Sequence, residues 1–505
     1  MTTRLWFDVE DLFEYARNNP RPSGIQRLAF ELYRALHERD NGRGLVRFVR
    51  HDPARVGFRT VEWSSLASLF IDLSEKRRPR SAHRVFVGQQ ISPEGSIRGL
   101  GRRLPLSLRI LWANAMRTQA IAFHAWTAIF LALVRGVQRR AARLAEQAMV
   151  ASSEHNTFVH EAASGDWLVA LGSPWSYLNY SALIQGQPGL RFALLIYDLI
   201  PLRHPEWCDP NVAQRFRLWL SEVLPLCDAL FAISGATAGD IQVYGQEQGF
   251  LLPKAAVLPI GSGLGHEHAP AQPTARLPPS GTYVLFVSTI EPRKNHMLLF
   301  RVWQRLLAEL PDDKVPTLVF AGRIGWLVGD LMQQISHTGN LGGRLILIEN
   351  PTDAELAALY QGCLFTLFPS FYEGWGLPVT ESLAFGKPCL IADRTSLPEA
   401  GGSLVRSFDP DNLHDAYAAI RNAIEDRADL ERWEAQVRRE FRPVPWSATV
   451  EALLTGLGHP LARSGTEVDL SNHSNYVKYG DRSAANSESP NVNTIDASVK
   501  GEVKL

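Results

Sequence analysis

The chain has 505 residues, of which 45% are hydrophobic and 21% charged, the profile of an ordinary globular protein with room for two or three domains of about 150 residues each. Lys+Arg and Asp+Glu both total 52, and this balance speaks against a globally basic nucleic-acid binder and an acidic disordered chain. The four cysteines (Cys208, Cys227, Cys363, Cys389) never form a CxxC, which argues against a zinc ribbon, an iron–sulfur site or a disulfide scaffold and suits a reducing cytoplasm.

Acidic residues break up the N-terminus, MTTRLWFDVEDLF, so no secretory signal is expected. Residues 4–9 (RLWFDV) read as a strand. A turn-rich stretch then ends at Gly24, and 25–39 (IQRLAFELYRALHER) read as a helix. Strand, glycine loop and helix are how a Rossmann-like half begins. Between Lys76 and Arg143 the chain carries fourteen Lys/Arg and one acid, Glu94, and within it 118–134 (TQAIAFHAWTAIFLALV) has no formal charge. Seventeen residues is the lower limit for a membrane span. A buried helix, a segment lying on an anionic membrane face and a true span all remain open for it. Alternating units resume with DWLVALG, RFALLIYDLIP, a helix over 211–224, ALFAIS, a helix from about Thr237, and AAVLPI.

Residues 261–281 are rich in Gly, Pro and Ala and read as a linker. A second set of units follows: the strand TYVLFVSTI (282–290), a helix over about 295–310, the strand TLVFAGR, a helix near 327–336, RLILIEN, a helix in DAELAALYQG, the strand LFTLFP, a short helix in PVTESLAF, and PCLIAD. Near-continuous Val/Ile/Leu strands separated by helices imply parallel sheets covered on both faces. The expectation is an α/β protein of two Rossmann-like domains, 1–260 with its basic insertion and 282–460, facing a central cleft at the strands' carboxyl ends. The polar tail 461–505 reads as disordered.

The most informative stretch is LFPSFYEGWGLPVTESLAFGKPCLIAD (367–393). Pro378 opens a helix and Gly386 follows its end, where their backbone preferences place them. Gly374 and Gly376 allow close approach of a ligand, and the free amides at the helix start suit an anion. Glu373 precedes this loop and Glu381 lies eight residues on, where a carboxylate can accept from two vicinal hydroxyls such as those of a ribose. A lone E-x7-E arises by chance, and Glu381 alone is a dipole-favourable charge near a helix start.

The surrounding sequence, FPSFYEGWGLPVTESLAFGKPCLIAD followed by SLPEAGG, resembles the donor-binding signature of the family 4 glycosyltransferases, with their two-domain GT-B fold. The resemblance extends to VLFVSTIEPRKN, VFAGRIGW and DAELAALYQGC, and in the first half to PSGIQRLAFELYRAL, YDLIPLRHPEW and AISGATAGDI. It is strongest to bacterial polysaccharide-assembly enzymes, many of them mannosyltransferases. The resemblance implies that Glu381 binds the ribose and that Glu373 sits by the donor sugar in a catalytic role. It implies further that Gly374, Trp375, Gly376 and Leu377 hold sugar and diphosphate through their amides. Lys294 matches the residue that neutralises the diphosphate as charge builds on the leaving nucleotide. Gly24, Ile25 and Gln26 match the glycine loop facing the cleft.

Two positions depart from the pattern. Thr289 stands where many relatives carry Arg, with Arg293 as the substitute. Tyr197, before Asp198, stands where many carry a His that reaches the donor sugar. Arg323 touches the base or diphosphate, or is structural. The resemblance implies a retaining hexosyltransferase that uses a nucleotide sugar, with GDP-mannose the first candidate and UDP-sugars and GDP-fucose open. The implied acceptor is a lipid-linked oligosaccharide or polysaccharide at the inner face of the cytoplasmic membrane, where the basic segment suits an anionic surface. No metal is required and no nucleic acid is expected as partner. The alternatives are a non-catalytic sugar-nucleotide-binding scaffold of the same fold and, more weakly, a nucleic-acid binder working through 76–143. His266 and His268 make a weak metal pair in the linker, Asp409-Pro-Asp411 reads as a turn, and His204 reads as a polar loop residue.

Overall fold

The computed structural model describes residues 3–19, 22–52, 57–75, 158, 161–177, 179–187, 189–261 and 276–462. The basic segment, the uncharged stretch 118–134, the centre of the linker with His266 and His268, and the tail from 463 lie outside them. Both of the sheets described below belong to one compact unit.

The first sheet has seven strands: β1 (Leu5–Asp8), β2 (Val46–His51), β3 (Phe58–Val61), β4 (Trp167–Ala170), β5 (Arg191–Ile196), β6 (Ala229–Ala232) and β7 (Ala256–Val257), in the order β3-β2-β1-β4-β5-β6-β7. The second has six: β8 (Tyr283–Val287), β9 (Thr317–Gly322), β10 (Leu345–Glu349), β11 (Thr366–Phe368), β12 (Cys389–Ala392) and β13 (Arg406–Phe408), in the order β10-β9-β8-β11-β12-β13. Every pairing in the second sheet is parallel. In the first, β2 and β3 form an antiparallel edge pair, which corrects the expectation of an all-parallel sheet. In VRFVRH the two arginines dilute the apolar run, as a strand near a sheet edge allows.

Both central strands alternate between two covered faces, as doubly wound sheets require. Val284 and Phe286 of β8 enter the main core and Tyr283 and Leu285 the opposite one. Ala193 and Leu195 of β5 face the main core, while Phe192, Leu194 and Ile196 face the other side. Each fully buried large side chain among them contributes about 1.5–3 kcal/mol.

The helices Gly24–Asp40, Pro210–Val223, Gly235–Gln248, His296–Glu309, Asp353–Gly362 and Leu377–Ala384 stand where the periodicity puts them. The Asp353–Gly362 helix opens on a capping box between Thr352 and Glu355, which satisfies two of its orphan amides. A helix over Glu10–Asn18 intervenes between β1 and the glycine loop, with Glu10 and Asp11 in its first turn, where they complement the helix dipole.

After the Arg427–Glu440 helix the chain crosses back. The Trp446–Gly456 helix packs on the Gly24–Asp40 helix of the first half, with Glu451 paired to Arg39 at 2.9 Å and Thr449 Oγ1 donating to the Pro259 carbonyl at 2.6 Å. Residues 446–462 are thus tied to the first sheet's layer, although they follow the second sheet in sequence. No helix among the described residues is long and apolar enough to cross a membrane.

Candidate active site

Each sheet has a point where its strand order reverses, between β1 and β4 in the first and between β8 and β11 in the second. Doubly wound sheets bind ligands in the crevice at such points. In the second half two loops leave the carboxyl ends of β8 and β11 and are joined where the Phe371 amide donates to the Arg293 carbonyl at 3.0 Å. The first loop carries Glu291, Arg293 and Lys294 and the second carries Glu373 to Leu377.

Glu373 is the centre of this arrangement. Lys294 Nζ lies 2.5 Å from its Oε1 and Arg293 Nη1 lies 2.7 Å from its Oε2, while Arg293 Nη2 reaches Glu291 at 2.7 Å. Glu291 and Glu373 are 5% and 7% exposed, so this is a buried two-cation, two-anion cluster. Burial alone raises the Glu373 carboxyl, but the charges of Arg293 and then Lys294 more than offset it and hold it down at about 2. Burial pulls the Lys294 ammonium below its ordinary range, and Arg293 adds to this against the opposing charge of Glu373. Glu373 is therefore a fixed anion at neutral pH and not a proton donor. An anion fixed in a dry site is suited to stabilising positive charge that develops on a bound group.

The backbone of the Glu373 loop is pinned from the turn after β12. The Glu373 amide donates to Thr395 Oγ1 at 3.0 Å, and Ser396 Oγ lies 2.9 and 3.0 Å from the carbonyls of Glu373 and Trp375. Thr395 sits at φ +48°, a left-handed conformation that costs a β-branched residue about 1–3 kcal/mol and clusters at functional sites. Neither Thr395 nor Ser396 stood out in the sequence. Gly376 has φ +106° and precedes the Leu377–Ala384 helix. Among the described residues the amides of Gly374, Gly376 and Leu377 make no hydrogen bond, so three donors are left at and just before a helix start, a position suited to phosphate.

Glu381 lies in the same helix, 7% exposed, and accepts from the Tyr360 hydroxyl at 2.8 Å. Burial raises its carboxyl, against the opposing pulls of Tyr360 and of the Arg27 charge. Arg27 was not anticipated. It follows Gly24 by three residues and makes a bidentate bond across the cleft to Asp353, at 2.8 and 2.6 Å. No sequence signal links residues 326 positions apart.

The first half meets this loop closely. A Cβ on Gly374 would stand 2.0 Å from the Tyr197 carbonyl oxygen, and one on Gly24 would stand 3.4 Å from Leu377 Cδ1. The Tyr197 hydroxyl does not reach toward the cleft as its position in the motif suggested. It donates to the Leu171 carbonyl at 2.5 Å within the core, so Tyr197 meets the Glu373 loop through its backbone. Asp198 Oδ1 accepts from the Ile200 amide at 3.0 Å, and burial raises its carboxyl against the pull of Arg293. Gln26 is buried, bonds Ser23, and lies 3.5 Å from Ser173 Oγ. Ile25 packs at the edge of the core. Arg323 is exposed, with Nη1 3.5 Å from Asn19 Oδ1 of the first half.

Of the weaker motifs, Asp409 and Asp411 both pair with Arg394, at 2.6 and 3.0 Å. No group of three or more His, Cys, Asp or Glu among the described residues could hold a metal ion. His204 is more than a polar loop residue: its ring stacks on Trp207 at 4.1 Å and lies 5.2 Å from Tyr372 of the second half.

Comparison with known proteins gives this geometry a context. Residues 272–440 match the family model "Glycosyl transferases group 1". The chain is 27% identical over 275 residues to the serotype-specific mannosyltransferase WbdA of Escherichia coli, covering 52% of this chain and 33% of that protein. It is 33% identical over 144 residues to the O-antigen chain mannosyltransferase B of Escherichia coli, covering 28% of this chain and 37% of the relative. The chain thus spans about a third of the length of these relatives. Among solved structures it is similar to Anabaena Alr3699/HepE in complex with UDP and glucose, at 14% identity and a TM-score of 0.49 over 90% of this chain and 99% of that one. Lys294, Glu373 and Glu381 all lie within the residues that the family model matches.

Proposed function

We propose that the protein is a retaining hexosyltransferase that takes mannose from a nucleotide sugar, GDP-mannose first, and places it on a lipid-linked or polysaccharide acceptor. The observation that carries this reading is the Glu373 carboxylate, held between Lys294 and Arg293 beside three unpaired amides. The amides and Lys294 take the diphosphate, and its charge rises as the glycosidic bond breaks. Glu373 stabilises the positive charge that grows on the sugar ring. Attack from the face the nucleotide leaves accounts for retention without a protein nucleophile. Glu381 takes the ribose hydroxyls, and no metal is needed where cationic and amide donors already face the diphosphate.

The mannosyltransferases among the relatives support mannose and a polysaccharide acceptor. Action at the inner face of the cytoplasmic membrane is part of the proposal. It rests on the basic composition of 76–143, with fourteen Lys/Arg against one acid, which suits an anionic surface.

Thermal shift against GDP, UDP, ADP and NAD tests the nucleotide site. A nucleotide at 100 times its dissociation constant stabilises by about 2.7 kcal/mol. Glu381→Ala is expected to weaken the same nucleotide at least tenfold by removing its ribose contact. Folded wild-type protein unshifted by every nucleotide would contradict the proposal. So would a Glu381→Ala variant that binds as wild type.

A further inference from the structure

A cavity of about 300 Å³ lies where the carboxyl end of β5 meets the β8 loop, lined from the first half by Tyr197 and Asp198 and from the second by Glu291, Arg293 and Trp326. We infer that this cavity binds a pyranose ring of the saccharide acceptor, an inference that rests on the transferase reading above and adds to it the place and chemistry of the second substrate.

Two walls of different chemistry carry the inference. One is aromatic. Trp175, Phe216 and Trp219 pack edge to face and tilted against one another, with centroids 5.5 to 6.1 Å apart. Trp207 faces Phe371 at 5.9 Å with its plane tilted by only 17°. Trp326 completes this wall, 41% exposed, and is tied to it where its indole N–H donates to the Trp207 carbonyl at 2.7 Å. The other wall is charged: Asp198, Asp209, Glu291 and Arg293 all line the cavity.

A pyranose matches both walls, since its C–H faces lie flat on aromatic rings and its hydroxyl edges donate and accept. A hydrocarbon chain matches only the first and leaves the charged residues of the lining without a polar partner in the ligand. The donor's nucleotide is excluded by position: Glu381 and the loop amides of Gly374, Gly376 and Leu377 are not part of the lining. Arg293 joins the two sites, since this lining residue is the one whose guanidinium lies 2.7 Å from Glu373. A ring bound there is one side chain away from the proposed reaction centre.

The test is a fluorescence and saturation-transfer NMR titration of the full chain with methyl α-mannoside, methyl α-glucoside, mannobiose and farnesyl phosphate, with GDP and UDP in parallel. At least one saccharide is expected to bind. Val212→Trp, which fills the cavity from the Pro210–Val223 helix, should weaken it at least tenfold while nucleotide affinity stays within twofold. Trp326→Ala should do the same, and its exposed position keeps the fold independent of the result. Three results would overturn the inference: no saccharide binds although a nucleotide does; both variants bind saccharide as wild type; or farnesyl phosphate alone binds and Val212→Trp abolishes it. Failure of every nucleotide to bind would instead remove the transferase reading on which the site depends.

Discussion

Glu373→Gln is expected to lower turnover by about 10²–10³, the range for removing one preorganised electrostatic group from a reaction centre, while nucleotide affinity changes less than tenfold. The substitution keeps the shape and removes the charge that Lys294 and Arg293 share. It leaves two largely buried cations, of which only Arg293 keeps a paired anion, Glu291. Breaking a buried pair in this way costs about 3–5 kcal/mol, so a lower Tm should accompany the loss of activity.

The pH dependence of this stability loss has a definite sign. The carboxyl is depressed from 4.5 to about 2 in the folded protein, so its contribution is fully present above the unfolded value and is lost as pH falls through about 2. The Tm gap between wild type and Glu373→Gln should therefore be constant from pH 7 to pH 5 and shrink below about pH 4.5. An acid limb of wild-type activity above pH 4 would belong to another group. A variant with near wild-type turnover would remove Glu373 from the chemistry.

Gly374→Ala is the second large effect. A Cβ at this position stands 2.0 Å from the Tyr197 carbonyl oxygen, where real contacts stop near 3.0 Å. The obstacle is backbone at the end of β5, which no rotamer change relieves, and the Thr237 hydroxyl also bonds this carbonyl at 3.1 Å. One half has to retreat from the other by about 1 Å, and a misplacement of that size can cost about 10² in rate. The residues proposed to hold the nucleotide all lie in the second half, so nucleotide affinity should stay within threefold. Steady-state kinetics beside nucleotide titration separates the two effects. Turnover within threefold of wild type would show that the halves do not meet here in the working state.

Much of the second half was legible because its strands are unbroken apolar runs and its helices carry their stops. Pro378 and Gly386 bracket the Leu377–Ala384 helix in the sequence as in the structure. Glu373 and Glu381 stood out for the same reason, since the loop between them is rich in glycine and ends at a helix start. The strands β2 and β3 were missed because Arg47, Arg50 and Arg59 interrupt their apolar pattern.

What stayed hidden was whatever depends on long-range pairing. The Arg27–Asp353 tie, the Ser396 hydroxyl under the Glu373 loop and the return of the Trp446–Gly456 helix join segments that share no local pattern. The Tyr197 hydroxyl belongs to the same class. Its position in the motif pointed to the sugar, but packing turned it to the Leu171 carbonyl. The aromatic cavity is assembled from a strand, a helix and loops of both halves, and no local pattern joins its tryptophans.

Transfer of a sugar from a nucleotide by these residues is open to a direct assay. The most direct measurement incubates the purified full chain with GDP-mannose and a mannose-terminated oligosaccharide, follows GDP release, and reads the anomeric configuration of the product by NMR. GDP release is expected to depend on acceptor, with an α-linked product of retained configuration and a loss of at least 100-fold in Glu373→Gln. Protein that binds GDP in the wild type but not in Glu381→Ala, yet releases none from GDP-mannose or any other nucleotide sugar tried, would contradict it. Such a result would describe a nucleotide-sugar-binding protein without transferase chemistry.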